Sequence, residues 1–316
     1  MRRLAKNAWL LTKETFREWN TDNAARLGAA LSYYTVFSLA PILILVIAIA
    51  GVFLGHEAAQ GKIVSQLAGL VGKESAEVMQ SAVVKVHQQQ TGLAASIIGI
   101  ITLLVGASGV MIELQGALNT VWKVLPTGGG IKRFLRIRVL SLALVLSLGF
   151  LLLVSLVFSA ILEGAIHWVG GFIARWAVLG YLVNYGISIG VIALFFALVF
   201  KALPDAKVAW RDVWIGATLT SVLFHVGKYG IALYIGRAGV ASTFGAAGSL
   251  AVLLVWIYYS AQIVLLGAEF TRSYANHFGS RVVPDENAVE APHAEPERLA
   301  AEKAVKLGQD PAPHRA

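Results

Sequence analysis

Residues 249–270 read SLAVLLVWIYYSAQIVLLGAEF, and Glu269 is the one charged side chain among them. A helix of that length rises ~1.5 Å per residue, about 33 Å in all. That matches the ~30 Å hydrocarbon thickness of a bilayer. Working outward, five more stretches carry comparable apolar runs: 34–54, 93–112, 139–162, 179–200 and 213–234. The second and fifth are richer in Gly, Ser and Thr, as helices packed inside a membrane bundle are. The expected fold class is all-α: a polytopic membrane bundle of six transmembrane helices, with an N-terminal amphipathic helix and short outer helices.

Composition agrees. Of 316 residues, 57% are apolar and 14% charged, and the mean hydropathy is +0.69. Soluble domains run at ~45–50% apolar and ~25% charged. A soluble enzyme, a disordered chain and a basic nucleic-acid-binding domain are therefore excluded. Cysteine is absent, so there is no disulfide, thiol nucleophile or cysteine metal site.

The net charge of +8 is explained by where the cations lie. Arg2, Arg3, Lys6, Lys13, Arg17 and Arg26 precede the first span. Lys123, Lys132, Arg133, Arg136 and Arg138 lie between the second and third, and Lys201, Lys207 and Arg211 between the fourth and fifth. With six spans these basic segments share one side, which the positive-inside rule assigns to the cytoplasm. Both termini are then cytoplasmic and no nucleic-acid partner is expected. The first apolar run follows too long a leader for a signal peptide, so cleavage after Ala50 is not expected.

The domain reading has three parts: a cytoplasmic or interfacial amphipathic helix (1–22), the six-span domain (23–272) and a largely disordered cytoplasmic tail (273–316). Leu4, Ala8, Leu11, Thr12, Thr15, Phe16 and Trp19 recur at helical spacing, suiting a helix on the leaflet surface or one packed on the end of the bundle. Asp22 or Thr21 is the expected N-cap of the next helix. That helix exceeds the bilayer thickness, and Pro41 is its candidate hinge, with a kink expected near 37–41. The connection 56–91 is expected to hold two short outer helices. The tail carries five prolines from Pro284 onward.

Ionisable and polar groups inside spans are costly and point to function or to internal pairing. Tyr258, Gln262 and Glu269 share one helix face. Glu113 and Asn119 close the second span, and His225 and Lys228 share a face of the fifth. Together they form either a polar path or structural pairs, with Arg133, Arg136 or Arg211 as rim partners of Glu113 and Glu269. The outer turn with Ser242, Thr243, Gly245 and Gly248 is a candidate anionic headgroup site at a helix N-terminus, or a close-packed turn. Gly186 and Gly190 form a GxxxG, which reads as packing within the bundle. The seven histidines have no metal-ligand spacing, and no phosphate loop or nucleophile elbow occurs. No metal, cofactor or enzymatic activity is expected.

Four blocks carry a family resemblance: GAALSYYTVFSLAPILILV (28–46), GALNTVWKV (116–124), ALPDAKVAWRDVWIGA (202–217) and STFGAAGSLAVLLVWIYYSAQIVLLGAEFT (242–271). Over about residues 5–275 the chain resembles the YihY/BrkB family of bacterial inner-membrane proteins. The matching positions are Tyr33, Pro41, Asn119, Pro204, Asp205, Gly245, Gly248, Gln262 and Glu269. The resemblance implies a six-helix inner-membrane protein. The family has been labelled both a virulence factor, after serum resistance, and a ribonuclease, and some relatives are linked to envelope lipids. It implies no catalytic residues. Three functions follow as expectations: a carrier or flippase for an amphipathic envelope molecule, a non-transporting scaffold for an envelope partner, and, least supported, a membrane-bound ribonuclease. Membrane lipids are the expected partners. The oligomeric state is not readable.

Overall fold

The computed structural model describes residues 2–54, 61, 76, 80, 81, 109–127, 139, 140, 143, 144, 147, 150, 151, 154, 174–238 and 248–291. Helices dominate: α1 (Arg2–Thr21), α2 (Ala24–Leu54), the described part of α3 (109–121), α4 (Ala174–Ala202), α5 (Trp210–Ala238) and α6 (Gly248–Phe278). Four short strands, β1 (Val124–Pro126), β2 (Ala206–Lys207), β3 (Val283–Pro284) and β4 (Ala288–Glu290), form two antiparallel ribbons. Pro126 and Pro284 are tolerated because a two-stranded ribbon has only edges.

The first, fourth, fifth and sixth expected spans lie within α2, α4, α5 and α6. Among the described residues, Tyr185–Ala202 and Leu250–Phe278 are long and apolar enough to cross a membrane. The outer helices of 56–91 and most of the second and third spans lie outside the described residues. α2 remains one helix through Pro41.

α4 packs on α5, α5 on α6, and α6 on α2, while α1 lies against α6 and α2. The α5–α6 crossing is built from small residues. A Cβ on Gly216 would collide with Thr271, and one on Gly267 would collide with Thr220. Each threonine also returns its hydroxyl to its own helix, Thr220 Oγ1 to Gly216 O at 2.7 Å and Thr271 Oγ1 to Gly267 O at 2.6 Å. The two Gly-x-x-x-Thr pairs thus interlock, each threonine seated on the other helix's glycine. Lipid tails are as apolar as leucine, so close backbone approach and dispersion hold such helices together rather than escape from water. Gly186 and Gly190, expected to pack within the bundle, have no described atom within 4 Å of where a Cβ would stand.

At the base of the bundle Trp122, Phe200, Leu118, Leu203, Val213 and Leu265 are fully buried together. Here the chain differs from expectation. Residues 273–291, assigned to a largely disordered tail, are ordered. α6 continues to Phe278, β4 pairs with β1 (Leu125↔Val289), and β3 pairs with β2 (Lys207↔Val283). Backbone bonds reinforce both ribbons, with Thr127 N–H donating to Asn287 O, Asp285 N–H to Asp205 O and Ala291 N–H to Lys123 O. Pro284, the one tail proline among the described residues, sits in β3 at a ribbon edge, where it breaks no long ladder. Residues 292–316 lie outside the described part.

Candidate functional site

Two polar clusters stitch the segments that carry most of the positive charge into one end of the bundle. The first is built on Asn119 of α3. Its Nδ2 donates to Asp205 Oδ2 at 2.9 Å, and its Oδ1 accepts from Asp205 N–H at 2.8 Å. Gln115, one turn earlier, donates to the same carboxylate oxygen at 3.1 Å. Pro204 and Asp205 follow the end of α4, so the asparagine reads the backbone and side chain of the α4–α5 connection at once. All three polar side chains are buried.

The second cluster joins α1, α3 and α6 through charge. Arg272 donates to Glu18 Oε2 at 2.6 Å, and its Nε lies 3.6 Å from Glu269. Lys123 pairs closely with Asp22 and lies 3.7 Å from Glu18. Asp22 adjoins Glu269. Burial alone would raise the Glu18 pKa. The Arg272 charge, hydrogen bonds from Arg17 and Arg272, and the Lys123 charge outweigh it and hold that carboxyl below the usual range. Lys123 adopts a left-handed φ of 56° just past the end of α3, a conformation costly for a side chain bearing a Cβ and kept where the surroundings enforce it. Three carboxylates thus face Arg272 and Lys123, with the exposed Arg17 bonding Glu18 from the rim.

Glu269 is wholly buried and neither of its oxygens is hydrogen-bonded among the described residues. Asp22 Oδ2 and Arg272 Nε are also without such a bond.

These contacts revise the expected roles. Among the described residues Glu269 faces Arg272, three residues on. Arg211 is exposed, and Arg133 and Arg136 lie outside the described residues. Asp22 does not cap α2, because its carboxylate is taken by Lys123. Asn23, at φ 52°, makes the turn, and its carbonyl accepts from Arg26 and Leu27. Glu113 is half-buried and stands outside the charge cluster. The carboxylates gathered there are Glu18, Asp22 and Glu269.

His225 and Lys228 do not act as a pair either. The Nδ1–H of His225 donates to Ser221 O at 2.8 Å, which leaves Nε2 as an acceptor 3.3 Å from the Ser188 hydroxyl of α4. The ring is buried against Tyr185 and Phe224. Lys228 sits over the Tyr229 ring at 5.3 Å.

Tyr258 and Gln262 do share a face, and it meets α2. Gln262 Nε2 donates to Ala24 O at 3.2 Å, and both side chains lie against Gly28, where a Cβ would strike the Gln262 amide. Gln262 Oε1 is buried with no hydrogen bond among the described residues. Ser242, Thr243 and Gly245 lie outside the described residues, and Gly248 opens α6. Sequence reading missed Glu18, Lys123 and Arg272. Glu18 and Asp22 at i,i+4, and Glu269 and Arg272 at i,i+3, were the available signals. Among the described residues no group of His, Asp and Glu side chains is arranged to hold a metal ion.

The family model for the virulence factor BrkB matches residues 15–292, which includes both clusters and both ribbons. The chain belongs to the BrkB family. Similar proteins are named UPF0761 membrane proteins. One from Verminephrobacter eiseniae is 30% identical over 85% of this chain and 63% of its own length. Another, from Alkalilimnicola ehrlichii, is 27% identical over 88% of this chain and 60% of its own. One from Alteromonas mediterranea is 28% identical over 82% of this chain and 86% of its own. The chain spans about three fifths of the length of the first two relatives. No solved structure matches. As a BrkB-family chain it is a membrane protein, and it shows the resemblance expected from its four sequence blocks.

Proposed function

We propose that this protein is a multi-pass inner-membrane protein, termini cytoplasmic, that transports or flips an amphipathic, lipid-like envelope molecule and so contributes to envelope integrity or serum resistance. One observation carries the reading. On α2, between the base of the bundle and Pro41, Tyr33, Tyr34 and Phe37 face outward at 59%, 42% and 66% exposure. Tyr33 is edge-on to Tyr34 at 5.6 Å and tilted against Phe37 at 4.9 Å.

A purely lipid-contacting face needs no hydroxyls. Paired tyrosines present an apolar ring to an acyl chain and a polar tip to a headgroup. The unanswered Gln262 carbonyl on the α2–α6 seam adds a buried acceptor on the same helix pair. A scaffold that binds an envelope partner through 56–91 is the second reading, favoured by the extent to which the base of the bundle is bonded to itself. No enzymatic chemistry and no cofactor enter either reading.

The test is translocation of a fluorescent phospholipid in proteoliposomes holding the full chain. Faster transfer than in protein-free vesicles, slowed by Tyr33→Ala/Tyr34→Ala, is expected. A chain that complements a deletion strain yet moves no lipid would exclude transport of this class and leave the scaffold.

A further inference from the structure

The seam between α1 and the last turn of α6 forms a half-open cavity of about 420 Å³. That lies in the range of small-molecule sites, ~300–1,000 Å³. From α1 come Leu10, Leu11, Lys13 and Arg17, and from α6 His277 and Phe278. Glu14, also in the lining, is engaged by His277 Nε2 at 2.5 Å. Lys13 and Arg17 are therefore the cations left at the mouth, with Arg17 also reaching Glu18 at 3.1 Å. Asn7 adds a polar group, and the rest of the lining is apolar, with Leu11 buried and Leu10 and Phe278 half open. Trp9 and Phe16, four residues before and three after Lys13, are exposed aromatics of α1. Aromatic side chains beside lysine and arginine mark headgroup depth in a bilayer.

We propose that this cavity binds the headgroup of an anionic phospholipid, its phosphate on Lys13 and Arg17 and its glycerol and first methylenes on Leu10, Leu11 and Phe278. The shared chemistry is a phosphate monoanion. The apolar part of the lining selects the lipid over free phosphate. The site lies on α1 and the end of α6, away from the tyrosines of α2, and stands whether or not the protein moves lipid.

Native mass spectrometry of the full chain in detergent tests it, with phosphatidylglycerol, phosphatidylcholine and inorganic phosphate as separate probes. Phosphatidylglycerol should be retained over phosphatidylcholine. Each cation near a headgroup is worth about a fivefold change, so Lys13→Gln/Arg17→Gln should lower retention ~25-fold. Lys13→Gln alone, at an exposed side chain, should lower it about fivefold and serves if the double variant does not fold. Arg211→Gln, exposed and away from the cavity, should change nothing. Equal retention of the two lipids, competition by inorganic phosphate, or an equal loss in Arg211→Gln would each overturn the proposal.

Discussion

Glu269 and Arg272 respond differently to neutralisation, because Arg272 serves two carboxylates and Glu269 only one cation. In Glu269→Gln the arginine keeps Glu18 at 2.6 Å, and a carboxylate with no hydrogen-bond donor is removed from a cluster rich in acid. That variant should melt at or above the wild-type temperature. Arg272→Gln instead strands Glu269 and leaves Glu18 with only Arg17 and Lys123, and breaking a buried pair from one side costs about 3–5 kcal/mol. Thermal melts of the two purified variants decide it, and a Glu269→Gln protein less stable than Arg272→Gln refutes the charge count.

Glu18 adds a pH dependence. Its lowered pKa means that its contribution is complete above the ordinary glutamate value of about 4.3. It is lost as pH falls through the lowered value, since the unfolded chain then binds the proton more readily. Melting temperature should therefore fall on acidification below that point, and less steeply in Glu18→Gln. The expense of Glu269 in a span was legible from sequence. Its neighbour Arg272, one turn on along the same helix, was overlooked because only rim arginines were counted.

At the scale of elements, glycine position separates packing from mere occurrence. Gly267→Ala places a methyl group into Thr220. Overpacking of a close contact typically costs about 1–3 kcal/mol, and Thr220→Ala should return part of it by removing the hydroxyl oxygen that the new methyl would strike first. Gly186→Ala on α4 meets no described atom within 4 Å and should leave stability unchanged or raise it through helix propensity. Melting temperatures of these three proteins are the measurement, and equal losses in Gly267→Ala and Gly186→Ala would remove the interlock as the basis of α5–α6 packing.

The helices themselves were readable from apolar runs, because a bilayer imposes length directly on sequence. Which glycines touch a neighbour was not. GxxxG at 186–190 advertises a motif, whereas Gly216, Thr220, Gly267 and Thr271 form one only when two helices distant in sequence cross. The Asn119–Asp205 bond is similar: both residues stood in recognisable blocks, but nothing in either block announces the other.

On the scale of the whole molecule, the basic end is a junction of segments far apart in sequence, and β1–β4 is its most testable seam. Val289 stands opposite Leu125 in the ribbon, both half-exposed. The natural chain has no cysteine, so Leu125→Cys/Val289→Cys introduces the only two thiols. Directly opposed strand residues bring their Cβ atoms to ~4.5–5.5 Å, and a disulfide spans ~3.5–4.5 Å, so a small ribbon adjustment closes the bond. Mild oxidation of the purified protein should yield a monomeric, faster-migrating species on non-reducing gels, reversed by reductant. Leu125→Cys paired with Val283→Cys, on the other ribbon, should cross-link poorly. If both pairs close at the same rate, the segment after α6 samples many positions and the disorder expected from its prolines is restored.

The same seam fixes the membrane side of residues 279–291, since they are bonded to the connection that follows α3. Cysteine at Thr127 and cysteine at Val289 must then share one labelling behaviour with an impermeant reagent in intact cells. Protection of both, beside reaction of cysteine at Gln89, is the outcome that cytoplasmic termini require. Reaction at Thr127 would invert the molecule, and with it the leaflet whose headgroups the α1–α6 cavity faces.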